Sequence, residues 1–285
     1  MRWPRGPVAP GREIAPGYEV IEHLRRGKAL DVYDVWSEER ACRCVVKALR
    51  PGRVRDEKSR RHVLAEGRLL CSFTHPHIVR AYEVREEPVP LVVMETLVGE
   101  TVAHMIEERC VELTVEQLAQ LGLHLGSAIR YVHAHGYLHL DLKPSNVISE
   151  CGRAKLIDLS VARPPGEAPP GVGTWCYLSP EQARGGELGP PADVWGIGVV
   201  LFEAATGRQA FDDDSEAADD EYPQLTKTVR RVEELRSLPR DFGDLVAACL
   251  EPDPAARPTL AALLAELESL AGLPEAERRH TGRPG

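Results

Sequence analysis

The chain has 285 residues and a net charge of −9, room for one large domain or two packed lobes. Hydrophobic residues at 43% and charged residues at 28% describe a globular core with a solvated surface. An acidic chain of this kind gives no support to a nucleic-acid partner; no run approaches the roughly 18 apolar residues of a membrane helix, and the opening MRWPRGPVAPGR lacks the apolar core of a secretory signal, so no membrane partner and a cytoplasmic location are expected.

In chain order, residues 1–16 are Pro-rich with little periodicity and are expected to form a flexible leader. From Tyr18 the pattern becomes YEVIEHL, DVYDVW and CRCVVKAL, three Val-rich runs that alternate polar and apolar positions as strands do. RRGKAL and SEER between them are compatible with turns. A helix is predicted from about Arg55 to Phe73, followed by strand candidates in HIVRAYEV and PLVVMETL. After Gly99 the pattern is helical: Leu113 to His135 carries apolar residues at i, i+3, i+4 and i+7. Val194 to Gly207 is apolar nearly all round, as a fully buried helix would be, and DLVAACL and TLAALLAELESLAG close the domain. The block 212–221 has seven acidic residues in ten and reads as a self-repelling loop or a docking site for basic partners. The expected organisation is α+β: a small β-rich lobe with one helix over 17–97, a larger helical lobe over 98–273, and a flexible tail over 274–285. Charge divides along the same line, a net +4 over residues 1–97 and −13 over the rest. That is either a solvated surface or a bias toward a nucleotide in the first part and basic partners in the second.

The strongest chemical signal is HLDLKPSN, His139 to Asn146, with Asp158 twelve positions beyond. Asp141, Lys143, Asn146 and Asp158 together supply what phosphoryl transfer requires: a carboxylate for the acceptor hydroxyl's proton, a cation for the moving phosphoryl group, and oxygen ligands for a metal ion.

From about Tyr18 to Leu273 these motifs resemble the eukaryotic-like serine/threonine protein kinase family, and an Ala-, Arg-, Pro- and Gly-rich composition points to a bacterial source. His139-Leu140-Asp141-Leu142-Lys143-Pro144-Ser145-Asn146 stands at H-R-D-L-x-x-x-N, Asp158-Leu159-Ser160 at D-F-G, and Ser179-Pro180-Glu181 at A-P-E. The resemblance implies a bilobal kinase fold, ATP with Mg2+ or Mn2+ as cofactors, and a protein substrate with a Ser or Thr acceptor. It implies Asp141 as catalytic base, Lys143 on the γ-phosphate, and Asn146 and Asp158 as metal ligands. Lys47, in CVVK, would be held on the α- and β-phosphates by Glu66. Leu24, Val32, Val45 and Ile148 would sandwich the adenine, Met94 would gate the pocket, and Glu95-Thr96-Leu97 would form the hinge. Glu181 is expected to pair with Arg257, Asp193 to brace the catalytic loop, and Thr174 to bond Asp141 and Lys143. Lys143 and Thr174 are the family's marks for serine or threonine.

Two departures qualify the resemblance. In the glycine-rich loop, Arg25-Arg26-Gly27-Lys28-Ala29-Leu30-Asp31-Val32 retains only Gly27; Arg25 and Leu30 are expected to crowd the turn, while Arg25, Arg26 and Lys28 attract the triphosphate. Leu140 replaces the arginine that meets a phosphate on the activation loop in many kinases, and the loop itself, Leu159 to Gly173, holds Ser160 as its one hydroxyl residue. A catalytically dead interaction module is therefore the alternative reading, and a small-molecule phosphotransferase a third, against which GTWCYLSPE argues because it resembles a peptide-presenting loop. The seven cysteines are scattered without a C-x-x-C pair and read as free buried thiols, Cys42 and Cys44 on one strand face. Cys176 stands out for its place in that loop.

Overall fold

The alternating runs of the first third build a six-stranded antiparallel sheet in the order β1-β2-β3-β4-β6-β5. The structure, a computed structural model, describes residues 6–211 and 222–273; the acidic block 212–221 and the tail from 274 lie outside them. The chain divides into two units, Met1–Val98 with Asp158–Ser160, and Gly99–Ile157 with Val161–Gly285. The expected boundary near residue 97 did not assign Asp158–Ser160 to the first unit.

In the first unit the strands are β1 (Glu13–Ala15), β2 (Tyr18–Arg26), β3 (Leu30–Ser37), β4 (Cys42–Leu49), β5 (Ala81–Arg85) and β6 (Leu91–Glu95), with helix α1 (Glu57–Ser72) between β4 and β5. Asp56 caps α1, accepting hydrogen bonds from the backbone N–H groups of Lys58 and Ser59. The helix approaches the sheet so closely at Gly67 that a Cβ there would lie 2.5 Å from a Val92 methyl. Strand alternation then divides β4. Cys44, Val46 and Ala48 join Tyr18, Val20, Tyr33, Val35, Leu91 and Val93 in one buried cluster, whereas Lys47 turns to the face that carries α1 and bonds with it.

The clustered face needs a cover, and residues expected to be a flexible leader supply it. Val8, Ile14 and Ala15 are buried in the same cluster, β1 pairs with β2, and the Val8 N–H donates to the Tyr33 hydroxyl at 3.1 Å. Prolines and the lack of period concealed this segment because three apolar side chains suffice for the task. The RRGKAL turn is also shorter than expected: β2 runs through Arg26 and β3 begins at Leu30.

The second unit contains β7 (Glu100–Thr101), α2 (Val102–Glu107), α3 (Val115–Ala134), β8 (Val147–Glu150), β9 (Arg153–Leu156), β10 (Gly166–Ala168), α4 (Pro180–Arg184), β11 (Gly186–Leu188), α5 (Pro191–Thr206), α6 (Arg240–Cys249) and α7 (Leu260–Leu270). A Thr114–Gln117 capping box starts α3. Helix α5 is buried from Ala192 to Ala205, as its all-round apolar sequence predicts, and stops at Gly207 with φ 69°. Helices α3 and α6 pack against it, and α7 packs on α3. No helix among the described residues is long and apolar enough to cross a membrane.

Part of the activation segment, expected as loop, is strand: β10 pairs with β11. Of the cysteines, Cys44 and Cys249 are buried, and their thiols are pushed up by burial to about 11 and about 12. The expectation of buried thiols fails for Cys71, Cys110 and Cys151, which are exposed, at a helix end and at positive-φ turn positions for the latter two.

Arg257 ties this unit together. Its guanidinium is fully enclosed and grips Glu181 in two hydrogen bonds of 2.7 and 2.8 Å. It also donates to the carbonyls of Glu251 and Pro191 and lies over the Trp195 ring at 5.0 Å. Removing one partner of such a pair leaves a buried charge unanswered. Arg257→Ala is therefore expected to lower unfolding free energy by about 3–5 kcal/mol in urea denaturation; a loss of under about 1 kcal/mol, the size of an exposed pair, would contradict it.

Candidate active site

Two polar networks hold the expected site residues, one in each unit. In the first, strand alternation points Lys47 toward α1, where its Nζ donates to Glu66 Oε1 at 2.8 Å and to Asp158 Oδ2 at 3.4 Å. Burial opposes the ammonium charge, but the Glu66 and Asp158 carboxylates outweigh it and hold the Lys47 pKa above its ordinary value. Burial pushes the Glu66 carboxyl up, and Lys47 restrains that shift. The other Asp158 oxygen accepts from the Ser160 N–H at 2.9 Å. Leu24 is half exposed on β2, Val32 and Val45 are half-buried on β3 and β4, Met94 is buried, and Glu95, Thr96 and Leu97 are half-buried at and beyond the end of β6. Val32 pairs with Lys47, and Val45 with Met94.

The hairpin between β2 and β3 is short. Arg25 is exposed and Leu30 half-buried. Arg26 is committed to Asp31 through Nε and Nη2 at 2.8 and 2.9 Å, so it is not a cation held in reserve for phosphate.

In the second unit the catalytic-loop motif is organised by Asp193, whose side chain is fully enclosed at the start of α5. Its carboxylate accepts the His139 N–H at 2.9 Å and the Leu140 N–H at 2.7 Å, and contacts His133 Nε2 at 2.7 Å. Burial alone would raise this carboxyl, yet the bonds and charge of His133, with those of His139, hold it below the ordinary range. The two N–H groups hold Leu140 at φ 63°, a left-handed conformation that side chains disfavour. Beyond that bend, Asp141 Oδ1 accepts from the Thr174 hydroxyl at 2.6 Å and Oδ2 from Lys143 Nζ at 2.8 Å. Lys143 also reaches the Thr174 oxygen at 2.5 Å. Asn146 Nδ2 donates to the Asp141 carbonyl and carboxylate at 3.0 and 3.1 Å, which leaves its Oδ1 as the atom for a cation. Ile148 is half-buried on β8, two residues past Asn146. Asp141, Lys143, Asn146 and Thr174 thus converge in this unit.

Sequence reasoning missed two residues here. Gln182 donates to the carbonyls of Leu140 and Val172 at 2.8 and 2.7 Å, linking the loop before Asp141 to the segment before Thr174. Gln182 also closes a capping box with Ser179, and that S-x-x-Q spacing is the local signal by which the residue could have been found. His133 carried no motif at all. Cys176, which stood out in the sequence, is half-buried, and burial pushes its thiol above the ordinary value, the opposite of what a reactive cysteine requires.

The activation segment is held by backbone bonds, by the Arg163 guanidinium on the Glu167 carbonyl at 2.7 Å, and by apolar packing. Leu138 and Arg163 exchange backbone hydrogen bonds of 2.7 and 3.1 Å. Leu140, buried where an arginine is common, packs with Leu138, Ala168, Leu188 and Ala192, flanked by Val161 and Val172.

A family profile described as "Protein kinase domain" matches residues 18–267. The chain is 32% identical over 278 residues to the probable serine/threonine-protein kinase PkwA of Thermomonospora curvata, covering 93% of this chain and 35% of that one. It is 32% identical over 218 residues to the probable serine/threonine-protein kinase PknB of Lactococcus lactis, covering 73% and 34%. It therefore spans about a third of the length of these curated relatives. Among solved structures, the kinase domain of PknI from Mycobacterium tuberculosis superposes with a TM-score of 0.72 at 21% identity, over 93% of this chain and all of that one, a likeness of fold. Its bilobal architecture and a profile match across nearly all its described length place this chain in the protein kinase domain family.

Proposed function

We propose that the chain transfers the γ-phosphate of ATP to a serine or threonine hydroxyl of a protein, with Asp141 as the base. The observation that carries this reading is the bond between the Thr174 hydroxyl and Asp141. It shows a threonine O–H donating to the carboxylate that would accept a substrate's proton, with the Lys143 cation 2.8 Å from that carboxylate. A substrate hydroxyl in the same relation loses its proton to Asp141 as its oxygen bonds to phosphorus, and Lys143 offsets charge on the transferred group. Lys47, gripped by Glu66, holds the α- and β-phosphates, and the residues around it on β2, β3, β4 and β6 (Leu24, Val32, Val45, Met94) offer adenine an apolar face. MgATP, or its manganese form, supplies the phosphoryl group and neutralises its charge. Asn146 Oδ1 in the second unit and the Asp158 carboxylate in the first are each oxygen donors of the type hard divalent ions take. The dead-scaffold alternative has no observation in its favour, since all six polar residues are retained and bonded within their units.

Radiolabelled ATP with a generic basic acceptor protein tests the assignment. Asp141→Asn should lower transfer by about 10²–10⁴-fold, and Lys47→Met or Asp158→Ala by about 10² or more, with the fold retained by circular dichroism. Wild-type activity in a clean Lys47→Met preparation would sink it.

A second expectation follows from the activation segment. A phosphate switch requires an acceptor and a cationic partner. Leu140 removes the partner, Thr174 is bonded to Asp141 and Lys143, and the segment is already ordered by β10–β11 pairing and apolar packing. Protein treated with phosphatase and verified unmodified by mass spectrometry should phosphorylate an added substrate without a lag. A lag removed by prior incubation with ATP, with phosphate mapped between Asp158 and Glu181, would reject this.

A further inference from the structure

The hairpin joining β2 to β3 has lost two of the three glycines of its pattern, and its backbone is closed by ions. Arg26 and Asp31 face each other across the strand pair. Asp31 is 1% exposed and accepts two parallel hydrogen bonds from Arg26, with His23 Nε2 a further 3.2 Å contact. At the tip the Gly27 N–H donates to the Leu30 carbonyl at 2.7 Å. From the end of β4, the Arg50 guanidinium reaches the carbonyls of Gly27 and Lys28 at 3.0 and 3.3 Å, and the Arg50 N–H donates to Ala29 at 2.9 Å. Asp31 stands opposite Ala48, and the next residue, Val32, opposite Lys47. The clamp is therefore built onto the strand that carries the lysine of the first network.

A glycine loop is free in solution and loses backbone entropy when it orders around a ligand. A hairpin already held in its final shape avoids that loss. A buried carboxylate with a bidentate arginine partner is also the kind of ion pair whose disruption is felt, because the remaining charge stays desolvated. Among the described residues, Arg25 and Lys28 are the hairpin cations outside any ion pair, and both are exposed.

We propose that Asp31 is a positioning residue for the nucleotide: with Arg26 and Arg50 it locks the 26–31 hairpin in one backbone conformation, which replaces the missing glycines by pre-ordering the segment that meets the triphosphate. This rests on the reading above that the chain uses MgATP. Arg26 acts through Asp31, and Arg25 and Lys28 are left to face phosphate.

The test uses the whole chain and Asp31→Asn, which keeps size and removes charge. Arg26→Met, at a side chain one third exposed, is the second variant should Asn at the buried site impair folding. Without nucleotide, hydrogen exchange at the backbone amides of 26–30 should quicken about tenfold in either variant. With MgATP, Kd by calorimetry and KM should rise about five- to tenfold while kcat stays within about twofold, and the double variant should match the singles because both remove one interaction. Unchanged exchange and KM, a fall in kcat alone, or additive losses in the double variant would overturn the proposal. Wild-type protein that gives no heat with MgATP would overturn the kinase reading and Asp31's role together. Binding by wild type with no change in the variants overturns Asp31's role alone.

Discussion

The geometry of the catalytic loop depends on one desolvated carboxylate. Asp193 sits at the start of a helix buried along nearly its whole length, where a lone charge would be expelled or neutralised. It remains because two backbone N–H groups and His133 converge on it. The dependence is mutual. Those same hydrogen bonds hold Leu140 in a left-handed conformation that a branched side chain would leave if released. The bend at Leu140 sets where Asp141 begins, and with it the positions of Lys143, Asn146 and Thr174. A backbone strain of modest size is thus balanced by satisfying a buried charge, and the outcome is a fixed carboxylate at the loop's working end.

The same device recurs elsewhere with different partners. Arg257 is enclosed and answered by Glu181 and three carbonyls. Lys47 is buried and answered by Glu66 and Asp158; Asp31 is buried and answered by Arg26. None of these pairs is a strong source of net stability, because desolvation cancels much of the attraction. What they contribute is uniqueness of geometry: each leaves its elements a single arrangement in which the charge is satisfied. A site that stabilises developing charge benefits from groups that need no reorganisation.

Where the chain departs from its family pattern, the structure substitutes one ordering device for another. Leu140 exchanges a charge anchor for an apolar one, and the activation segment is held by β10–β11 pairing and by the cluster around Leu138 and Leu188. The hairpin at residues 26–31 exchanges glycine freedom for an ionic clamp. In both places the described structure holds the segment by contacts of its own.

Secondary structure and the candidate site were legible because they rest on local signals. Alternation in CRCVVKAL, the 3.6-residue period of Leu113–His135 and the all-round apolar run at Val194–Gly207 each encode an element within a few turns of chain. The spacing from His139 to Asn146 and on to Asp158 encodes a chemistry. Alternation even set Lys47 and Val45 on one strand face. The tertiary structure decided what depends on residues distant in sequence. Val8, Ile14 and Ala15 become a cover only because β2, β3, β4 and β6 present a face to be covered. Gln182 becomes a tie between two loops only once α4 stands beside Leu140. Asp31 reads as one more polar residue on an alternating strand until Arg26 and His23 meet it from the neighbouring strand. A hydrogen bond or a buried charge is a property of two partners, and a linear pattern states the residues of a pair without stating that they meet.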